Sequence, residues 1–164
     1  MAGPIYSFLV HDHERLDGLI NRALANPEKI DDNAYAEFRT GLLKHISIEE
    51  KILLPAAQRL RGGTPLPIAA RIRLDHGALV ALTVPPPTRA LISSIRSILT
   101  AHNEREEEVD GLYEASESII GKNVEELLVM MQSAADVPVL PHNPNPKALD
   151  ATRRAVERAG YKME

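Results

Sequence analysis

The sequence predicts an all-α protein, an up-down-up-down four-helix bundle followed by a C-terminal helical extension. Three observations carry the prediction. Apolar residues recur at steps of three and four along four stretches. Period-two runs and hairpin turns joining strand-like segments are missing. The breakers "NPEK", "RGGTPLP" and "PPP" divide the stretches and leave short connections, which make neighbouring helices antiparallel.

The first helix is expected from about Pro4 to Ala25, with Tyr6, Leu9, His13, Leu16, Ile20 and Ala23 on its inner face. The second starts at "DDNAYAEF", where Asp31 or Asp32 can cap it, and runs unbroken to "RLRGG". Its stripe is Phe38, Leu42, His45, Glu49, Leu53, Ala56 and Leu60. The third covers about Pro67 to Thr83 with Ile72, His76, Leu79 and Thr83 inward. The fourth runs from about Thr88 to Ile120 with Ile92, Ile95, Leu99, His102, Glu106, Val109 and Tyr113 inward, and stops at Gly121. A shorter apolar helix, "NVEELLVMMQSAA", follows; "VPVLPHNPNP" then forbids regular structure, and "KALDATRRAVERAG" reads as a last short helix. The chain thus divides into a bundle, 1–121, and an extension, 122–164. The stripe Leu149, Thr152, Ala155, Val156 and Ala159 can pack on the bundle or dock a protein partner, and packing on the bundle is the expectation.

Composition narrows the function. A net charge of −4 argues against nucleic-acid or anionic-membrane partners, which want a basic patch. No basic leader, signal-length apolar run or membrane span is present, so a cytoplasmic location is expected. Cysteine is absent, which excludes disulfides, thiolate ligands and cysteine nucleophiles; a metal would be held by nitrogen and oxygen.

Of the six histidines, His13, His45, His76 and His102 fall one to each helix of the bundle, each on the apolar stripe. His11 lies about 200° round from His13 and is expected in solvent. His142 is in the Pro-rich tail, away from any helix. An internal repeat sharpens the pattern: "DHERL" at 12–16 echoes "DHGAL" at 75–79, and "HISIEE" at 45–50 echoes "HNEREE" at 102–107. The duplication would set four histidines, Glu49 and Glu106 about a pseudo-twofold axis at one level of the bundle. Glu50 and Glu107 lie about 100° off that face and are expected as outer or surface groups. Asp12 and Asp75 are expected to be exposed. Tyr6 and Tyr113, seven residues from His13 and Glu106, share the face of those residues; core packing is the expected role, with a hydrogen bond to a bound oxygen as the alternative.

Two ionised carboxylates inside a bundle cost several kcal/mol each unless compensated, in the range of about 3–5 kcal/mol for an unpaired buried charge. A pair of cations compensates them; a buried polar network without metal is the costly alternative. His and Glu at i and i+4 project side by side, so the carboxylate can bridge two metals roughly 3.5–4 Å apart while the imidazole binds one of them. Four imidazoles, two bridging carboxylates and an oxo or hydroxo bridge describe a two-iron site, with Mn or Zn as alternatives.

The motifs "HDHERLDGLI", "HISIEEKILLP", "LDHGAL" and "HNEREEE" resemble those of the hemerythrin-like family, the HHE cation-binding domain. The resemblance covers roughly 5–121 and implies that His13, His45, Glu49, His76, His102 and Glu106 ligate two iron ions that bind or sense O2, NO or peroxide. It departs from oxygen carriers in two ways. The third helix has no second histidine one turn from His76, where Ile72 and Val80 stand, and the fourth offers HxxxE and HxxxxE in place of HxxxxD. Val80 shares a helix face with His76, so a histidine grafted there is expected to reach the site. A metal- and oxygen-binding protein is the first expectation. A di-iron oxidase or peroxidase, and an interaction protein whose extension answers to iron or oxygen, are the alternatives.

Overall fold

The computed structural model describes residues 2–164. Among them every regular element is helical, as expected from the sequence, and no strand is present. The helices are α1 (Pro4–Leu24), α2 (Asp32–Ile48), α3 (Leu54–Leu60), α4 (Ala69–Leu82), α5 (Arg89–Glu107), α6 (Leu112–Ile120), α7 (Val124–Gln132) and α8 (Pro146–Arg158). Local chemistry sets their starts. Pro4 stands in the first turn of α1, where its missing N–H costs nothing. The Asp31 carboxylate accepts from the Ala34 N–H at 3.0 Å, and the Thr88 hydroxyl accepts from the Leu91 N–H at 3.1 Å. α1 packs against α2, α5, α6 and α7, and α4 packs between α5 and α8.

The core is two apolar clusters. One gathers Leu16, Ile20, Phe38, Leu42, Leu79, Leu82, Ile92 and Ile95. The other gathers Ile5, Leu9, Leu53, Ile72, Leu112, Tyr113 and Met131. His13 falls between Leu9 and Leu16, His45 between Leu42 and Leu53, and His76 between Ile72 and Leu79, so the histidines occupy the layer between the clusters.

Three departures from expectation shape that layer. The second helix is not regular: residues Glu49–Leu53 form a π turn joining α2 to α3, and the Leu54 N–H bonds back to the Glu49 carbonyl. Pro55 supplies the reason, since it has no N–H and its ring would collide with a carbonyl one turn earlier. The extra residue in the turn advances the inner face, so Leu54 and Ala57 are buried while Leu60, expected inside, is 44% exposed.

The expected fourth helix is two helices. α5 ends at Glu107, Asp110 adopts a left-handed φ of 60°, and α6 begins at Leu112. Gly111 permits the tight turn, because a Cβ there would lie 2.6 Å from the Arg105 carbonyl oxygen. Val109, expected inside, is consequently 83% exposed.

The third departure is in the tail. His142 is not remote from the helices: its ring stacks on Tyr35 of α2, centroids 6.1 Å apart. α8 lays Thr152, Val156 and Ala159 against the bundle, chiefly on α4, while Leu149 stays partly exposed. Among the described residues no helix is long and apolar enough to cross a membrane.

Candidate metal centre

α1 brings His13, α2 His45, the π turn Glu49, α4 His76, and α5 both His102 and Glu106 to one layer; all six are buried, the two glutamates completely. Their donor atoms form two groups, His13–His45–Glu49–Glu106 and Glu49–His76–His102–Glu106, each with all atoms within 4.8 Å of one another. Both glutamates belong to both groups. Glu49 lies 3.0 Å from His45 Nε2 through one oxygen and 2.9 Å from His76 Nε2 through the other. Glu106 lies 2.9 Å from His102 Nε2 and 3.2 Å from His13 Nε2, again through different oxygens. Each carboxylate therefore spans the two groups.

The outward ring nitrogens are all held by carboxylates. Asp12 Oδ2 is 2.8 Å from His45 Nδ1, Glu107 Oε1 is 2.5 Å from His13 Nδ1, Glu50 Oε1 is 2.7 Å from His76 Nδ1, and Asp75 Oδ2 is 3.3 Å from His102 Nδ1. A carboxylate only accepts, so each Nδ1 carries a proton and each Nε2 is turned inward, the nitrogen that would meet a metal once it loses any proton of its own. Metal-ligating histidines are commonly held by a carboxylate in this way, which fixes the ring and raises its basicity. Asp12 and Asp75 are thus not the exposed residues expected from the sequence: Asp75 is 0% exposed and Asp12 23%. A residue next to a ligand lies about 100° round the helix. In a bundle that direction faces a neighbouring helix rather than water. His11, by contrast, is 83% exposed, as its spacing predicts.

Tyr113 corrects a second expectation. Its hydroxyl lies 2.5 Å from Glu49 Oε1, 2.8 Å from Glu106 Oε2, 2.9 Å from His13 Nε2 and 3.3 Å from His45 Nε2. It is a residue of the centre as well as of the core. Its partner Tyr6 meets it edge-on at 6.1 Å and donates to the Glu107 carbonyl at 3.1 Å. Val80 is the third correction: it is 37% exposed, so a histidine there would point away from the cluster, while Ile72 lies wholly within the apolar core.

The electrostatics describe a cluster that needs cations. Burial pushes the Glu49 carboxyl up, but His45 and His76 beside it hold it well below the ordinary range. Burial and Glu49 push Glu106 up, and His102 and His13 bring it below its ordinary value. The imidazoles answer in kind. Burial would lower His45, yet Glu49 and Asp12 raise it to about 10, and Glu106 and Asp75 do the same for His102. Burial, Glu106 and Glu49 push the Tyr113 hydroxyl well above its usual value, so it stays a donor. Without metal, protons on the inward nitrogens of His45, His76 and His102 balance the buried negative charge.

Two further features describe the interior of the cluster. His13 Nε2 and His45 Nε2 face each other at 3.1 Å, so the proton that the raised His45 carries there can be donated to His13. Glu106 Oε1 is buried without a well-directed hydrogen bond, although His102 Nε2 is close. A cavity of about 210 Å³ opens beside His13, His45 and His102, with walls from Leu16, Ile20, Leu42 and Leu99. At about 30 Å³ per water it has room for a few small molecules.

An all-helical protein with histidines and glutamates converging in two groups, each imidazole braced by a carboxylate, is of the class that binds metal cations inside a helical fold. The hemerythrin HHE cation binding domain matches residues 5–111, and the chain belongs to that family. No curated protein and no solved structure matches the chain significantly.

Proposed function

We infer that the protein holds two iron ions between α1, α2, α4 and α5 and uses them to bind or sense a small molecule such as O2, NO or peroxide. The observation that carries this reading is the pairing of inward Nε2 atoms with two carboxylates that each span both groups. His13 and His45 would hold one ion, His76 and His102 the other, and Glu49 and Glu106 would bridge them. Imidazole with carboxylate suits iron, with manganese or zinc as weaker alternatives. Each half of the repeat supplies one DHxxL histidine and one HxxxE pair, in keeping with an up-down-up-down frame. The apolar clusters support that frame. α1 and α4 run from the cluster of Leu9 and Ile72 towards that of Leu16 and Leu79, and α2 runs the other way.

Bound iron would supply the electrons and the open coordination position that such small molecules need. The chain's own part is distinct. The 210 Å³ cavity, apolar at Leu16, Ile20, Leu42 and Leu99 and polar at Glu14, Asp17 and Arg96, would give a small molecule a way to the histidines, and Tyr113 stands between the two glutamates with a proton to donate. An anionic or partly reduced oxygen held at the centre would take that proton in a hydrogen bond, in place of a glutamate.

The test is ligand competition. Azide or NO added to iron-loaded protein should produce new charge-transfer absorption, and Tyr113→Phe should keep its iron while shifting both the spectrum and the affinity. A loaded protein whose spectrum ignores both molecules would contradict the small-molecule reading.

A further inference from the structure

We propose that the segment after α8 clamps one half of the centre, with Tyr161 as the positioning residue that ties the C-terminal tail to His102; the proposal rests on the two-metal reading above. The geometry starts at the end of α8. Gly160 takes φ 87°, its N–H bonds to the Glu157 carbonyl, and the Tyr161 N–H bonds to the Val156 carbonyl at 3.1 Å. This turn reverses the chain and throws Tyr161 back onto the bundle. There its hydroxyl donates to Asp75 Oδ1 at 3.0 Å and accepts from Arg105 Nη1 at 2.8 Å. Arg71 ties the same corner, donating to Asp75 Oδ1 at 2.6 Å and to the Ala159 carbonyl at 2.5 Å. Arg105 Nη1 also donates to Asp75 Oδ2 at 2.9 Å. Beyond the turn, the Glu164 N–H reaches the Ser94 hydroxyl of α5 at 3.0 Å.

Asp75 is the carboxylate that holds His102 Nδ1, and its contact, 3.3 Å, is longer than the 2.5, 2.7 and 2.8 Å contacts of the other three. Its direction is therefore set by the whole ring of donors. Tyr161 supplies the one that comes from outside the family's matched segment, 5–111. The counterpart in the other half, Asp12, is held by Arg15 at 2.9 Å; Met131, Gln132 and Asp136 of the extension line the same surface groove, but among the described residues no side chain of the extension bonds to Asp12. A molecule that lifted the tail would loosen the metal position of His76 and His102 and leave that of His13 and His45 intact. Occupancy of that position would, by reciprocity, hold the tail down.

The experiment uses the full chain loaded with zinc(II), which is diamagnetic, and follows the imidazole nitrogens of the four histidines by NMR while a chelator is added. In wild type, both histidine pairs should report metal. In Tyr161→Phe, zinc should leave His76 and His102 several-fold more readily, short of the roughly 10–100-fold for losing the carboxylate brace itself, with His13 and His45 unmoved. Amide exchange provides a second measurement that needs no variant: zinc should slow exchange at Tyr161 and Glu164 by a similar factor, and Tyr161→Phe should remove the effect. Equal release from both pairs, or tail amides indifferent to zinc, would overturn the clamp while leaving the metal reading intact. Four rings that never take up zinc in wild type would overturn both.

Discussion

The two halves of the repeat share one wiring diagram and differ in what surrounds it. In each half the aspartate before the DHxxL histidine braces the imidazole of the HxxxE pair: Asp12 holds His45, and Asp75 holds His102. The second glutamate of each HxxxEE then crosses to the other half, Glu50 to His76 and Glu107 to His13. Asp12, however, is 23% exposed and answers to a surface arginine, whereas Asp75 is wholly buried under Arg71, Arg105 and Tyr161. The shared wiring follows the repeat, and the extension adds Tyr161 to the donors around Asp75. The difference separates what the centre binds from how firmly each position is held.

The largest effect should come from the shared carboxylates. Glu49→Ala or Glu106→Ala removes a group common to both halves and should abolish most metal uptake, whereas His45→Ala should cost mainly the ion of its own half. His11→Ala should leave metal content unchanged, as measured by elemental analysis. If His11→Ala strips metal and His45→Ala does not, the assignment of faces is wrong.

Next is the contrast between the two aspartates in metal-free protein. Asp75→Asn removes a buried charge from two partly exposed arginines and should cost about 1–3 kcal/mol in a urea titration. Asp12→Asn breaks a partly solvated pair and should cost about 1 kcal/mol or less. Equal losses would erase the distinction between a clamped and an open half.

A third prediction concerns pH. With folded values raised from 6.5 to about 10, His45 and His102 contribute stability that is complete below pH 6.5 and lost as pH rises towards 10. Glu49 and Glu106, held below 4.5, contribute stability that is present above pH 4.5 and lost on acidification. Metal-free protein should therefore melt highest between these windows and lose stability as the solution becomes alkaline. Metal needs neutral imidazoles, so uptake at pH 7 should release protons into a weakly buffered solution. Uptake without proton release would mean that the inward nitrogens were never protonated. The smallest effect belongs to Val80→His: because Val80 faces outward, azide binding and metal content should both stay at wild-type levels.

Periodicity was enough to assemble the six side chains, since a step of three or four locates each on its stripe, and the π turn that begins at Glu49 comes too late to move that glutamate off its stripe. It was not enough beyond a break. The count of seven from Glu106 put Tyr113 on the inner face, but it assumed a continuous helix; the turn at Asp110 and Gly111 resets the helix and sets the contacts of the hydroxyl with the glutamates. The Asp110–Gly111 pair was the available signal for that turn, as Pro55 was for the π turn. Asp12 and Asp75 were misread because a single helix does not reveal which neighbour covers its flanks. Tyr161 lies 86 residues from Asp75, and no local pattern links them.

The most direct test of the central claim is an anaerobic titration of the metal-free chain with ferrous iron, followed by air oxidation and an optical spectrum. The His/Glu cluster predicts uptake of about two ions per chain and an oxo-to-iron charge-transfer band on oxidation, the signature of paired metals sharing a bridge. A folded chain that takes up no iron, or a single ion with no such band, would contradict it.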